Sequence, residues 1–250
     1  MIQIENVTKR FGSFTAVRDI SITVPEGSIF AFLGTNGAGK TTTIRMITGV
    51  INPTSGRILV GGYPVTSSPV QAKSLMGVIP DRPHLYGRLS GREFLQFMAE
   101  LYRVPRLKAS ERIEYLLAIH DLLEWQHELI DTYSHGMKQR LMMCGAQIHE
   151  PKVLIIDEPM VGLDPPAARM FKDHLRECAK NGQTIFMSTH SLSVAEEIAH
   201  TLAIIQRGRI LASGTLDSLY SRAQHGANGL EKVFLDIINE SGNSNNSGQT

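Results

Sequence analysis

A glycine-rich segment, residues 34–41, constrains the fold of this 250-residue chain more than any other feature. It reads GTNGAGKT and matches the phosphate-binding loop pattern G-x-x-x-x-G-K-[ST]. The apolar run IFAFL precedes it, and a run compatible with a helix, 42–47, follows it. Because the pattern requires this context, we predict a buried strand, a phosphate-binding loop and a helix in that order.

The residue types in the loop indicate how it would hold a chain of phosphates. Glycines let successive backbone N–H groups converge on phosphate oxygens, and the N-terminus of the next helix carries a partial positive charge. Lys40 would reach the β and γ phosphates, and the Thr41 hydroxyl would complete the oxygen shell of a Mg²⁺ ion. The predicted nucleotide-binding residues of this segment are Gly34, Thr35, Asn36, Gly37, Ala38, Gly39, Lys40, Thr41 and Thr42.

A second apolar segment, residues 153–156, ends in two acidic residues, Asp157 and Glu158. Ligands of α/β proteins bind at the carboxyl ends of buried strands, where these carboxylates would lie. Asp157 would hold Mg²⁺ directly or through water, and Glu158, on the other side of the strand, would act as general base on a water molecule. Alone, the segment also fits an acidic turn stopped by Pro159, but the upstream loop favours the catalytic interpretation.

The hydropathy pattern predicts the fold around these motifs. Residues 1–5 and 20–24 alternate apolar and polar side chains, which is typical of half-exposed antiparallel strands. Residues 28–33, 153–156 and 184–188 are continuously apolar or small, which is typical of a buried parallel sheet, and a helical pattern separates the last two. We therefore predict an α/β fold: a P-loop NTPase core with a mainly parallel sheet and an antiparallel β subdomain at the N-terminus.

Two other segments depart from this pattern. From residue 90 to about 130 the apolar residues recur at helical intervals, and Ser90 and Glu93 are spaced as a capping box. This predicts an inserted α-helical subdomain, about 86–145, within a nucleotide-binding domain that spans residues 1–238. Residues 239–250 are mainly Asn, Ser and Gly, and this composition predicts a disordered tail.

The composition excludes several classes of protein. The chain has 25 basic and 24 acidic residues, which leaves no excess positive charge to hold a nucleic-acid backbone, so we expect no nucleic-acid partner. No segment approaches the roughly 18 apolar residues of a membrane span, so we expect a separate chain to supply any membrane part. The two cysteines, Cys144 and Cys178, are typical of a reducing compartment, which predicts a cytoplasmic location.

A third motif lies just ahead of the second apolar segment. Residues 133–137 read YSHGM and open a helical run, and such a serine-led helix start is either an ordinary cap or an anion site. Together with the other two motifs, this segment resembles the signature of ATP-binding cassette (ABC) ATPases of the exporter type. It keeps Ser134 and Gly136 of the usual LSGGQ and departs from the other three positions. The resemblance implies that Ser134, Gly136 and Met137 contact the γ phosphate of ATP bound to a second subunit.

Other elements of the family follow in the expected order. Phe11 resembles the aromatic residue that stacks on adenine, although a lone Phe also fits a core position. Asp164 resembles the D-loop aspartate and equally fits an N-cap followed by proline. His190, after an apolar strand, resembles the switch histidine that contacts the γ phosphate, which makes it a catalytic candidate beside Glu158. Asp81 stands where the family usually has the Q-loop glutamine, and it either contacts Mg²⁺ or is a solvated acidic residue.

The resemblance implies an ATP hydrolase with ATP and Mg²⁺ as cofactors. Two chains, as a homodimer or as a pair with a second ABC ATPase, would enclose two ATP molecules head to tail and separate after hydrolysis. Such a subunit powers transport through an integral membrane permease and lies on the inner face of the cell membrane as a peripheral protein. Residues 230–238 resemble the closing helix of multidrug, antibiotic and ion exporters, which favours export.

The loop after Asp81 is the expected contact with the permease. Its residues are unusually apolar for a loop, although a local core would explain them equally well. The residues concerned are Pro83, His84, Leu85 and Tyr86.

Two alternative functions are open at this point: a regulatory subunit gated by nucleotide and a soluble ABC-type clamp that is not coupled to transport. A single cassette with a compact insertion disfavours the clamp. The presence of both Glu158 and His190 argues for turnover of ATP rather than for regulation alone.

Overall fold

The computed structural model describes residues 1–81, 85–160, 163–222 and 229–246. Within these ranges the chain forms two β-sheets and nine α-helices. The strands are β1 (Ile2–Phe11), β2 (Phe14–Val24), β3 (Ile29–Leu33), β4 (Ser55–Val60), β5 (Tyr63–Pro64), β6 (Met76–Ile79), β7 (Val153–Asp157), β8 (Thr184–Thr189), β9 (Thr201–Gln206) and β10 (Arg209–Thr215). The α-helices are α1 (Lys40–Ile47), α2 (Pro69–Ser74), α3 (Gly91–Leu101), α4 (Arg106–Ile119), α5 (His135–Gln147), α6 (Pro165–Lys180), α7 (Leu192–Ile198), α8 (Leu216–Arg222) and α9 (Leu230–Asn246).

The larger sheet has its strands in the order β10-β9-β3-β8-β7-β6. Its pairs are parallel except for the β9–β10 hairpin. In β3, Phe30 and Phe32 belong to one apolar core, whereas Ile29, Ala31 and Leu33 belong to a second core on the opposite face. Apolar side chains are therefore needed on both faces, which explains the continuously apolar segments and confirms the predicted parallel sheet.

The smaller sheet is antiparallel, with its strands in the order β2-β1-β4-β5. Ile2 and Ile4 are buried, whereas Gln3 between them is exposed, as expected for a sheet with one solvated face. A hairpin joins β1 to β2 and pairs Phe11 with Phe14. The buried face of this sheet shares a core with α1, which follows the phosphate loop. The predicted antiparallel β subdomain at the N-terminus is confirmed.

Three helices, α3, α4 and α5, lie between β6 and β7 and share a third apolar core. The predicted capping box starts α3: the Ser90 hydroxyl accepts the Glu93 N–H at 3.3 Å, and the Ser90 N–H donates to Glu93 Oε2 at 2.8 Å. At Gly77 of β6 a Cβ atom would lie 2.2 Å from the carbonyl oxygen of Ala146 in α5, so this close approach of helix and strand requires glycine. The boundaries of the helical subdomain, about 86–145, stay a prediction.

The last helix, α9, continues further than the sequence suggests. A tail without structure is expected from residue 239, whereas the backbone is helical as far as Asn246. Starting a helix is costly, but each further residue needs only its own backbone to be ordered and gains one hydrogen bond. Buried Leu230 and Val233 anchor the start of α9, so the helix can extend past its last apolar residue. Residues 247–250 of the predicted tail lie outside the described residues.

A buried histidine, His120, and a half-buried one, His174, join the inserted helices to the core. His120, at the C-terminal end of α4, packs edge-on against His174 of α6, with ring centroids 4.8 Å apart. His174 Nε2 lies 2.8 Å from Gln147 Nε2 on α5, and Arg140 Nη1 donates to the carbonyl oxygen of His120 at 2.8 Å. Burial, with smaller contributions from His174 and Arg140, lowers the pKa of His120 to about 3.

This joint should lose stability in acid. An unfolded histidine titrates near about pH 6.5, whereas His120 resists protonation, so the unfolded state takes up a proton first as the pH falls. Stability that is fully present above about pH 6.5 should be lost toward pH 3, by roughly 1 kcal/mol per pH unit at most from this residue.

The test is urea unfolding of the wild type and of His120→Gln over a series of pH values. The substitution should reduce the slope of unfolding free energy against pH. His127→Gln, at an exposed position, is the control for replacing a histidine. Equal slopes in the wild type and in His120→Gln would contradict the predicted contribution of His120.

Candidate active site

The glycine-rich segment connects β3 to α1 at the carboxyl end of β3, an inner strand of the larger sheet. Gly39 is the N-cap of α1, with φ 113°, and Gly37 has φ 78°. Both values lie in the left-handed region, which glycine adopts without a steric penalty. At Gly34 a Cβ atom would lie 2.4 Å from the carbonyl oxygen of Ile205. Since no side chain caps α1, the first N–H groups of this helix are suited to bind an anion.

Lys40 is the buried cation of the site. Its side chain is 6% exposed, and Nζ donates to the carbonyl oxygens of Gly34 at 2.7 Å and of Thr35 at 3.3 Å. Nζ also lies 3.2 Å from Oε1 of Glu158, an ion pair that lacks the alignment of a hydrogen bond. Because a buried charge without a partner is costly, this carboxylate stabilises the ammonium group.

Strand β7 brings both predicted acidic residues to the same edge of the sheet. Asp157 ends the strand, is buried, and accepts a hydrogen bond from the hydroxyl of Ser188. Glu158 follows with φ 51°, and its carboxylate contacts Lys40 and His190. The two carboxylates therefore have different partners, as expected for neighbouring residues on opposite sides of a strand.

His190 reaches the same carboxylate from β8. Its Nδ1 lies 2.8 Å from Oε2 of Glu158, and its backbone N–H donates to that oxygen at 3.3 Å. The parallel register pairs Asp157 with Ser188, so the residues that follow β7 and β8 lie side by side. We refer to Lys40, Glu158 and His190 as the Lys–Glu–His cluster. Three residues that are far apart in the sequence thus meet at the carboxyl edge of the sheet.

The oxygen ligands near this cluster fit a magnesium ion that is bound together with phosphate. Thr41 follows Lys40 and is exposed, and Asp157 supplies a buried carboxylate. Within the described ranges no group of three or more His, Cys, Asp or Glu residues is arranged to hold a metal. Mg²⁺ typically takes only one or two carboxylates and completes its octahedron with phosphate oxygens and water. Asp81 is exposed at a bend after β6, and its role as a ligand stays a prediction.

The signature and D-loop residues lie on a different surface. Ser134 caps α5, and its Oγ accepts the Met137 N–H at 3.2 Å. Asp164 caps α6 and accepts the Ala167 N–H at 2.8 Å. Ser134, Gly136 and Asp164 line one cavity of about 510 Å³, whose described lining includes no member of the Lys–Glu–His cluster. The structure therefore brings these two motifs to one cavity, and no residue of the phosphate loop is part of its described lining.

Phe11 lies on the surface at the end of β1. Its side chain is 50% exposed, and Lys9 Nζ lies 5.0 Å from the ring centroid. The exposed fraction argues against the core position that the sequence also allowed. Base stacking by Phe11 stays a prediction, and an exposed ring is suited to it.

The structure describes two of the four residues predicted to contact the permease, Leu85 and Tyr86. Tyr86 is 59% exposed, and its ring packs edge-on against Phe97 of α3, with centroids 5.6 Å apart. Leu85 is partly buried against the core of the inserted helices. Pro83 and His84 lie outside the described residues. Tyr86 and Phe97 therefore form an exposed aromatic pair beside the loop.

Known proteins of similar sequence provide independent evidence. A family model described as ABC transporter matches residues 17–161. The linearmycin resistance ATP-binding protein LnrL of Bacillus subtilis is 35% identical over 244 residues, which cover 95% of this chain and 78% of LnrL. The ABC transporter ATP-binding protein NatA of the same organism is 32% identical over 243 residues, covering 95% of this chain and 98% of NatA. The SkfA peptide export ATP-binding protein SkfE, also from B. subtilis, is 36% identical over 211 residues, which cover 84% of this chain and 87% of SkfE.

Solved structures agree with this similarity. An ATP-binding subunit of an ABC transporter has a TM-score of 0.90 and 30% identity, covering 95% of this chain and 99% of its own. A dimeric post-hydrolysis state of the ATP-binding cassette MJ0796, bound to ADP and Pi, has a TM-score of 0.78 and 20% identity. The match covers 86% of this chain and 99% of the MJ0796 chain. At 20% identity the second structure supports the fold alone.

The ion pair between Lys40 and Glu158 generates a prediction about nucleotide affinity. In Glu158→Gln the ammonium group keeps its two carbonyl partners but loses the carboxylate that would compete with a phosphate. We expect ADP in the presence of EDTA to bind about 3- to 10-fold more tightly to this variant, a change of ~1 kcal/mol. Lys40→Ala should instead weaken ADP binding by more than roughly tenfold, because a charge on the phosphates is lost.

Isothermal titration calorimetry measures both affinities. Glu150→Gln is the matched control, because it removes a carboxylate that pairs with Lys108 on the surface. An ADP affinity that is the same in the wild type and in Glu158→Gln would contradict the competition for Lys40.

Proposed function

The chain belongs to the family of ABC transporter ATP-binding proteins, and from that premise we propose that two such subunits enclose ATP and couple its hydrolysis to a membrane transporter. As a member of this family the chain is an ATP hydrolase. One observation carries the proposed roles of individual residues: Glu158 contacts both Lys40 and His190 at the carboxyl edge of the parallel strands, next to the phosphate loop. Ligands of α/β sheets bind at this edge.

The phosphate loop supplies positive potential from the backbone and from one side chain. The unoccupied N–H groups of the first turn of α1 would donate to the β phosphate, and Lys40 would exchange its Glu158 partner for the γ phosphate. The exposed ring of Phe11 would stack on the adenine base. These contacts would position the γ phosphate beside the carboxylate of Glu158, which would no longer pair with Lys40.

Glu158 would then act as the general base. Its carboxylate, 15% exposed, would take up a proton from a water molecule in line with the γ phosphate. His190 holds Oε2 of this carboxylate through both its ring and its backbone N–H, which fixes the direction in which Glu158 points. The imidazole would also be near enough to the γ phosphate to sense its loss.

Thr41 and Asp157 would hold a magnesium ion on the phosphates. When bound, the ion supplies positive charge that neutralises the phosphate oxygens during hydrolysis. The chain itself contributes one hydroxyl and one buried carboxylate to the ion, with Asp81 as a further candidate.

A second subunit would complete each site. The signature residues Ser134 and Gly136 and the D-loop residue Asp164 line a cavity whose described lining includes no member of the Lys–Glu–His cluster of their own chain. Met137 follows in the first turn of α5. Ser134 caps α5 through the Met137 N–H, and the N–H groups at the start of this helix are suited to contact an anion. A head-to-tail pair, either two copies or one copy with a second ABC ATPase, would bring this surface onto the γ phosphate held by the partner.

An integral membrane permease would convert closure of the pair into transport. Within the part of the chain that the structure describes, no helix has both the length and the hydropathy to cross a bilayer. Tyr86, Phe97 and Leu101 expose large apolar side chains beside the predicted contact loop. The resistance protein LnrL and the peptide export protein SkfE are relatives whose names favour export. The proposed location is the cytoplasmic face of the cell membrane.

Glu158→Gln tests hydrolysis and dimerisation together. Loss of the base should slow ATP hydrolysis by a factor on the order of 10² to 10⁴, while the γ phosphate remains in place. With Mg²⁺ and ATP, the variant should therefore elute as a dimer in size-exclusion chromatography with light scattering. The control variant Glu150→Gln should hydrolyse ATP like the wild type. Unchanged turnover, or a monomer at high protein concentration, would contradict the proposal.

Transport coupling needs a separate experiment. A tagged chain purified from detergent-solubilised membranes should bring down one multi-span protein in stoichiometric amount. Tyr86→Ser combined with Phe97→Ser should reduce this recovery and leave ATP hydrolysis by the purified chain unchanged, because neither side chain contacts the Lys–Glu–His cluster. Recovery of no membrane protein would favour the regulatory or clamp alternatives.

A further inference from the structure

Ser188 contacts both acidic residues that follow the apolar part of β7. Its side chain is fully buried, and its hydroxyl donates to Oδ1 of Asp157. The same hydroxyl oxygen accepts the backbone N–H of Glu158 at 3.2 Å, and the Ser188 carbonyl oxygen shares that N–H, also at 3.2 Å. The parallel register, in which Asp157 pairs with Ser188, produces this contact.

The hydrogen bonds have one possible direction. A backbone N–H only donates, so the Ser188 oxygen must be the acceptor toward Glu158. The hydroxyl hydrogen is then left for Asp157, whose carboxylate accepts it. A chain of donors therefore runs from the Glu158 amide through Ser188 to Asp157.

We propose that Ser188 is a positioning residue for both acids: it orients the Asp157 carboxylate toward the metal ion and holds the backbone of Glu158. This inference rests on the proposed function, in which Asp157 binds Mg²⁺ and Glu158 is the general base. A carboxylate with one oxygen held in place presents the other oxygen in a defined direction. Residues that orient metal ligands in this way commonly change metal affinity when they are replaced.

The backbone at Glu158 gives a second reason for this role. Glu158 has φ 51°, a left-handed conformation that is unfavourable for a residue with a side chain. Its N–H is anchored twice by Ser188, through the hydroxyl and through the carbonyl oxygen. Loss of the hydroxyl removes one anchor from a strained position, so the direction of the Glu158 side chain should become less defined.

Two substitutions separate hydrogen bonding from packing. Ser188→Ala removes the hydroxyl, and Ser188→Cys keeps nearly the same shape but offers only a weak S–H donor. We would titrate Mn²⁺, as a spectroscopic substitute for Mg²⁺, into each variant saturated with the non-hydrolysable analogue AMP-PNP and follow binding by electron paramagnetic resonance. Both variants should bind Mn²⁺ about 10-fold more weakly than the wild type. AMP-PNP affinity in EDTA should change much less than Mn²⁺ affinity, because the Ser188 hydroxyl is hydrogen-bonded to Asp157 and to the Glu158 backbone and would act on the phosphates only through Glu158.

Ser28→Ala and Asp157→Asn are the control variants. Ser28 is another buried serine, and its hydroxyl donates to the carbonyl oxygen of Pro25 at 2.8 Å rather than to an acidic residue of the site, so its loss should leave Mn²⁺ affinity unchanged. Asp157→Asn should weaken Mn²⁺ binding at least as much as Ser188→Ala, because it removes the ligand itself.

The outcomes distinguish this inference from the proposed function. Normal Mn²⁺ affinity in Ser188→Ala, with weakened affinity in Asp157→Asn, would overturn the role of Ser188 and keep the metal site. Normal affinity in Asp157→Asn would overturn the metal site and the role of Ser188 with it. Full recovery in Ser188→Cys would show that packing, not hydrogen bonding, matters at this position, and would also overturn the proposal.

Discussion

A buried positive charge is the constraint on which this structure depends. The ammonium group of Lys40 lies almost out of contact with solvent, and such a charge is tolerated only when oxygen atoms surround it. Two carbonyl oxygens of the phosphate loop and the carboxylate of Glu158 provide them. The loop must therefore turn tightly, which glycine permits. Strand β7 must also bring Glu158 to the same end of the sheet as the loop, and it does so because it runs parallel to β8, which lies next to β3.

The same arrangement explains how chemistry and motion can be connected. Glu158 contacts Lys40 on one side and His190 on the other, so in the proposed mechanism a γ phosphate that binds Lys40 would remove one partner of the carboxylate that His190 holds. Ser134 and Asp164 cap helices on a separate surface. In the proposed mechanism one chain would therefore carry halves of two different sites, and this geometry is the physical reason that a second subunit belongs to it.

Much of the fold could be predicted because the local signals agree with the tertiary structure. Continuously apolar segments became the central strands, since both faces of that sheet are covered, and the Ser90 capping box begins α3. The helix that runs on to Asn246 was not predicted, because helix extension depends on an anchor elsewhere and not on the composition of the extension. The joint of His120 with His174 was also missed, because both look like ordinary polar residues of a helix until two helices pack against each other.

The sequence by itself determined which chemistry is available. Glycines at 34, 37 and 39, a lysine and two acids after apolar runs are local patterns, because each depends only on residues within one turn or strand. Only the tertiary structure decided that Glu158 touches both Lys40 and His190 and that Ser188 joins the two acids. Strand order and register set those contacts, and the sequence of a single strand does not specify which strand will lie beside it or which residues will be paired.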